Sequence, residues 1–155
     1  MDRQAHVELL LEHYQQPRYR EKLPDADVAM PGGNPGCGDV VSVYLKVAKA
    51  EGQPEHVDQF GWVGAGCTIS QAAASVVAEM VNEGHSTLDE ILEMSYEDLV
   101  DTLGREVVST RPRCATLALG TLKAAVRKYR RDEERRAAGL PVESLSEDEM
   151  ERFEV

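Results

Sequence analysis

Three thiols and a carboxylate in this 155-residue chain stand where side chains can do chemistry: Cys37 and Asp39 in Gly36-Cys37-Gly38-Asp39, then Cys67, then Cys114. Glycines on both sides of Cys37 permit unusual backbone angles and the close approach of a metal or a partner. Cys67 follows Gly64-Ala65-Gly66 and precedes a stretch that reads as a helix. Its sulfur therefore sits at a helix N-terminus, where the partial positive charge favours thiolate. Cys114 is arranged likewise, two residues after Pro112, with Arg111 and Arg113 adding positive charge. Three thiolates and one carboxylate suffice for a tetrahedral metal, and zinc accepts both S and O ligands. The same set could hold one edge of a [2Fe–2S] cluster. The cysteines are 30 and 47 residues apart with no Cys-x-x-Cys knuckle, so a site forms only if the fold gathers three loops. An oxygen from Asp39 commits less strongly than a fourth thiolate, which marks the set as exchangeable rather than purely structural. His6, His13, His56 and His85 have no ligand-like spacing to the cysteines and read as surface or packing residues.

The elements that must position these groups are legible in the patterning. Val7, Leu10, Leu11 and Tyr14 line one face of a helix that Pro17 ends. A short strand is expected around Val28 to Met30, stopped by the breaker cluster Pro31-Gly32-Gly33-Asn34-Pro35. From Asp39 the period becomes two, with Val41, Val43, Leu45 and Val47 opposed to Ser42, Tyr44 and Lys46, a half-buried strand. Glu51-Gly52-Gln53-Pro54 is the turn to a second strand over Val57 to Val63, and so short a turn implies an antiparallel pair. After Cys67, Ile69, Ala73, Val76, Val77 and Met80 keep helical spacing until Gly84, and the small Ala72-Ala73-Ala74-Ser75 patch lets that helix lie close to a sheet. Thr87 with Glu90 and Ser95 with Asp98 have capping-box spacing for two further helices, the second ending near Gly104. A last helix begins after Pro112 and carries Leu117, Leu122, Ala125 and Tyr129. The predicted class is α+β, a small antiparallel sheet of about three strands packed on one face by several helices.

Bulk properties bound the function. The length fits one domain with a real core, and with aromatics at 5% that core must be built mainly from Val, Leu, Ile and Ala. Phe60 and Trp62 stand out beside the Cys67 loop as packing residues. A net charge of −11 argues against nucleic acid and against anionic membrane surfaces, and no apolar run approaches a membrane span. A cytoplasmic, reducing location is expected, where thiols stay available for metals. Residues 141–155 carry six acids and one arginine. The expectation is a domain over 1–130 followed by an acidic stretch over 131–155, a mobile tail or a loosely docked helix.

Three segments carry a resemblance. Asn34-Pro35-Gly36-Cys37-Gly38-Asp39, Gly64-Ala65-Gly66-Cys67-Thr68-Ile69-Ser70 with Ala72 and Ser75, and Arg111-Pro112-Arg113-Cys114-Ala115-Thr116-Leu117 resemble the signatures of iron–sulfur cluster assembly proteins of the IscU, SufU and NifU N-terminal type. His13-Tyr14-Gln15-Gln16-Pro17-Arg18 resembles that family's opening helix and its exit, so the likeness covers roughly residues 5–130. It implies the SufE/NifU (IscU-like) fold, with the cysteine loops at one end. Arg113 stands where IscU proteins carry a histidine, and Glu106-Val107-Val108-Ser109-Thr110 is not their chaperone-recognised Leu-Pro-Pro-Val-Lys segment. With Arg111 in place, the third motif is most similar to the SufU branch, although the 47-residue spacing is too short for the whole SufU insertion.

The resemblance implies Zn(2+) or a [2Fe–2S] cluster on Cys37, Asp39, Cys67 and Cys114, with Cys37 and Arg111 in catalytic roles. It implies a cysteine desulfurase of SufS or IscS type as sulfur donor, and apo-proteins or the SUF complex as recipients. Two functions follow. In one, Cys37 accepts sulfane sulfur while zinc keeps the thiols deprotonated, a sulfurtransferase-like role. In the other, the same residues scaffold a labile [2Fe–2S] cluster and pass it on, a non-enzymatic role. A zinc-stabilised interaction module without sulfur chemistry is the plainer reading. At the level of residues, the plain counterparts are Asp39 as a helix or strand cap, Arg111 as a surface charge pairing with acids, and Arg113 as a solvated charge.

Overall fold

A computed structural model describes residues 2–34 and 38–142. Helix α1 (Arg3–Gln15) leads to β1 (Val28–Asn34), β2 (Asp39–Ala48) and β3 (His56–Ala65), followed by α2 (Thr68–Glu83), α3 (Leu88–Glu93), α4 (Tyr96–Leu103), α5 (Arg105–Val108) and α6 (Pro112–Ala137). The strands form one three-stranded antiparallel sheet in the order β1-β2-β3, the α+β architecture that the patterning predicts. Helices α2 and α6 lie on one face of it. Val41, Val43 and Leu45 of β2 are buried, and Val43 and Leu45 stand opposite Trp62 and Phe60 of β3, but Ser42 and Tyr44 on the other side are buried as well, so the strand is not half-buried as its alternation predicts. Both aromatics are fully buried against the helical layer, worth about 1.5–3 kcal/mol each. Ala72, Ala73, Ala74 and Ser75 are buried along α2, so small side chains do let that helix approach closely.

Three details differ from the sequence reading, each for a tertiary reason. Pro31, Gly32 and Gly33 do not break β1 but continue it to Asn34, which pairs with Asp39. An edge strand tolerates proline because the missing N–H can point away from the ladder. Glycine at 32 also leaves room for α6, since a Cβ there would lie 2.1 Å from Thr121 Oγ1. The second face of the sheet is covered too. After α1 the chain runs along the free edge of β3, where Trp62 donates its backbone N–H to Tyr19 and its indole N–H to Arg18. It then packs Leu23 and Ala26 on Tyr44 and Val63.

Finally, the charged stretch after 130 belongs to α6, which runs to Ala137. Asp132 is buried there and pairs with Lys128 at 2.6 Å, while the Tyr129 hydroxyl donates to Glu55 at 2.7 Å. A boundary at 130 therefore falls inside a helix, and most of the acidic stretch lies outside the described residues. Among the described residues, no helix is long and apolar enough to cross a membrane.

Both capping signals act as the sequence predicts. Thr87 and Glu90 form a reciprocal capping box on α3, and Ser95 accepts from the Asp98 N–H on α4. Gly104, at φ 101°, separates α4 from α5, and a Cβ there would strike the His6 ring.

Candidate metal centre

Antiparallel pairing does the gathering that spacing alone could not guarantee. Asp39 opens β2, and Val40 pairs with Ala65 near the end of β3, so the Gly66–Cys67 turn falls beside Asp39. Cys67 then caps α2 in extended conformation, with φ −72° and ψ 166°, and its sulfur accepts the Ser70 N–H at 3.4 Å. Helix α6 starts at Pro112 and buries Cys114 in its first turn. Asp39, Cys67 and Cys114 each offer a ligand atom within 4.8 Å of the others. Asp39 and Cys114 are buried and Cys67 is half-buried.

The two oxygens of Asp39 have different surroundings. Oδ2 accepts the Cys114 thiol at 2.7 Å and lies 4.0 Å from the Cys67 sulfur. Oδ1 accepts the Cys67 backbone N–H at 2.8 Å and the Ser70 hydroxyl at 3.2 Å. Burial pushes this carboxyl up, but the hydrogen bonds from Cys114, the Cys67 N–H, Ser70 and Cys67 outweigh it and hold Asp39 below the usual carboxylate range. Among the described residues none of its partners is a cation. A buried carboxylate beside two thiols, with no cationic partner among the described residues, is a donor set that fits a soft-to-borderline cation such as zinc.

Three of the sequence-predicted ligands thus converge. Cys37 lies outside the described residues; its neighbour Gly38 makes the turn into β2 at φ +71°. Arg111 is the exposed N-cap residue of α6, and Arg113 is exposed on its first turn. The histidines lie elsewhere. His13 is buried against the Ser75 hydroxyl at 2.7 Å, its proton affinity lowered by burial and then by the Arg18 charge. His6 meets Glu106 at 3.1 Å, and His56 and His85 face each other edge-on.

Sequence reasoning did not single out Ser70, Gly66 or Asn34 as parts of the site. Asn34 pairs with Asp39 across the sheet end, and its amide lies 4.0 Å from the Cys114 sulfur. A Cβ on Gly66 would lie 2.1 Å from Asp39 Oδ1. The available signal was the hydroxyl three residues after a capping cysteine, a position facing back toward the cap.

With this geometry established, similarity to known proteins becomes informative. The family described as NifU-like N terminal domain matches residues 5–136. The iron–sulfur cluster assembly scaffold protein IscU of Thermotoga maritima is 34% identical over 138 residues, covering 80% of this chain and 94% of that protein. The IscU scaffold of Escherichia coli is 33% identical over 129 residues, covering 81% and 94%. Among solved structures, the SufU of Fervidobacterium islandicum AW-1, described as a scaffold candidate for the SUF system, superposes with a TM-score of 0.59 at 22% identity. That superposition covers 77% of this chain and 94% of that one, and supports the fold.

Proposed function

The chain belongs to the NifU-like N-terminal domain family, and from that premise we propose that it serves iron–sulfur cluster assembly by accepting sulfur from a cysteine desulfurase, with Cys37 as acceptor beside Asp39, Cys67 and Cys114. The observation that carries this reading is the convergence of one carboxylate oxygen and two thiols within 4.8 Å at the end of the sheet where Asn34 and Asp39, which flank Cys37 in the sequence, are paired. Cys37 falls in the sequence between Asn34 and Asp39, which are paired with each other beside the group.

When bound, a zinc ion held by Asp39, Cys67, Cys114 and Cys37 would keep the coordinated thiols deprotonated. The transfer itself is thiol–disulfide exchange. The Cys37 thiolate attacks the terminal sulfur of the desulfurase persulfide, and a new S–S bond forms on Cys37. The S–S bond in the desulfurase breaks, and its electron pair stays on the desulfurase cysteine as thiolate. No oxidant is needed. Arg111, exposed three residues before Cys114, supplies positive charge toward an approaching anionic persulfide. A reducing, cytoplasmic setting suits this chemistry, because Cys67 and Cys114 must stay reduced.

The test is alanine release by the desulfurase of the same organism, with cysteine, in the presence and absence of this chain. The full chain should raise the rate and Cys37→Ala should not. A Cys37→Ala variant that stimulates fully would sink the acceptor role.

A second reading, in which the same residues scaffold a [2Fe–2S] cluster and pass it to apo-proteins, is favoured by the scaffold names of the relatives. Protein purified without oxygen separates the two. Colourless protein containing zinc supports the acceptor, and brown protein with matched iron and sulfide supports the scaffold.

A further inference from the structure

A carboxylate side chain turns easily about its last bond, because that torsion is broad and nearly two-fold. If Asp39 turned freely, either oxygen could reach a cation and the acid could chelate or swing away. In this chain one oxygen is occupied. Oδ1 receives the Cys67 N–H at 2.8 Å and the Ser70 Oγ at 3.2 Å, which leaves Oδ2 on the side of the two sulfurs. The Ser70 hydroxyl has one proton and two acceptors in reach, Asp39 Oδ1 and the Cys67 carbonyl at 3.1 Å. The bond to the ionised carboxylate is charge-assisted and therefore the stronger. Gln71 Nε2, 3.4 Å away, can donate to the same hydroxyl oxygen and leaves the Ser70 proton free for Asp39. Room for this contact depends on Gly66, where a Cβ would lie 2.1 Å from Oδ1 and 2.9 Å from Ser70 Oγ.

We infer that Ser70 is a positioning residue of the centre: with the Cys67 N–H it clamps Asp39 Oδ1, so that the acid offers a cation one oxygen, Oδ2, in a fixed direction. The inference rests on the reading that the centre holds a metal. Ser70 is buried at 3% exposure in the first turn of α2, and its backbone N–H also serves the Cys67 sulfur. One residue thereby orients two of the ligands. The consequence is specific. Exchange at this centre proceeds without free rotation of Asp39, and loosening the clamp should weaken metal retention even though every ligand is still present.

The experiment uses the full chain. Zinc affinity is measured by competition with a chromophoric chelator, and the visible absorption of the cobalt(II)-loaded protein reports the ligand field. Ser70→Ala should hold zinc about 10- to 100-fold more weakly, the usual loss when a partner hydrogen-bonded to a ligand is removed. Its cobalt bands should shift, while its metal-free far-ultraviolet circular dichroism matches the wild type. Because Ser70→Ala could disturb folding, the isosteric pair Ser70→Thr and Ser70→Val repeats the comparison at constant volume; Thr should keep the affinity and Val should lose it. Wild-type affinity and an unshifted cobalt spectrum in Ser70→Ala, or equal behaviour of Thr and Val, overturns the clamp. Wild-type protein that takes up neither zinc nor cobalt removes the metal reading instead, and the clamp with it.

Discussion

The two ends of α6 bury polar groups in opposite ways. At the C-terminal end every buried or half-buried charge has an opposite charge or a hydroxyl against it. Lys128 pairs with Asp132 at 2.6 Å, Lys49 with Glu133 at 2.5 Å, and the Tyr129 hydroxyl donates to Glu55 at 2.7 Å. That end is electrically complete and pins α6 to the segment joining β2 and β3. At the N-terminal end Asp39 is 1% exposed, yet among the described residues its partners are two thiols, an N–H and a hydroxyl, with no cation. Buried acids are ordinarily neutralised or paired. The contrast separates a fastening from a site: one end is closed by its own charges, and the other is a set of donors that a cation would complete.

The sharpest way to break that contrast is to take a ligand from one end and a fastening from the other. Cys114→Ala should abolish stoichiometric zinc retention after desalting, because it removes the sulfur closest to Asp39 Oδ2. Tyr129→Phe should leave zinc content unchanged. Elemental analysis of the two purified proteins decides it; equal zinc in both would mean that the N-terminal end of α6 is a fastening as well.

A smaller effect is expected from Gly66→Ala. The new methyl cannot coexist with Asp39 Oδ1 at 2.1 Å, so either the acid leaves its donors or the turn shifts. Overpacking of this kind costs about 1–3 kcal/mol. Urea unfolding of the metal-free protein should show a loss in that range, together with weaker zinc binding. Unchanged stability would show that the turn has slack, and that Asp39 is held less tightly than the thiol end requires.

What could be seen in the sequence follows the same division between local and tertiary causes. The β2 strand, the Thr87–Glu90 box and the Ser95 cap are local, and they form as their residues dictate. So are the Gly-Cys-Gly-Asp, Gly-x-Gly-Cys and Arg-x-x-Cys settings of the three cysteines, which carried the family resemblance. Pro31 to Asn34 read as a break because a strand's position at a sheet edge is invisible in one sequence. The stretch after Arg130 read as a mobile tail or a loosely docked helix because its charges hide a continuing face: Tyr129 and Asp132 turn inward with partners 74 and 4 residues away in the chain. Ser70 was missed for the same reason, since its acceptor lies 31 residues back. The candidate ligands were legible as residue types, whereas the neighbours that hydrogen-bond to them are defined by contact.

The smallest predicted effect tests whether the C-terminal end is purely a fastening. Burial first, and then the neighbouring Glu55 carboxylate, push the Tyr129 phenol up to about 12. An unfolded tyrosine ionises near 10, so the folded state binds this proton more tightly. Its contribution to stability is therefore whole below about pH 10 and is lost as pH rises from about 10 to 12. Tyr129→Phe should cost about 0.5–1.5 kcal/mol at neutral pH, the net value of one hydrogen bond. It should also flatten the decline in melting temperature of the wild type over that alkaline window. The difference between the two melting curves isolates Tyr129 from the lysines that titrate alongside it. Parallel curves would mean that the phenol ionises alike in the folded and unfolded chains, and that this end of α6 is held by packing and the lysine–carboxylate pairs rather than by the Tyr129–Glu55 bond.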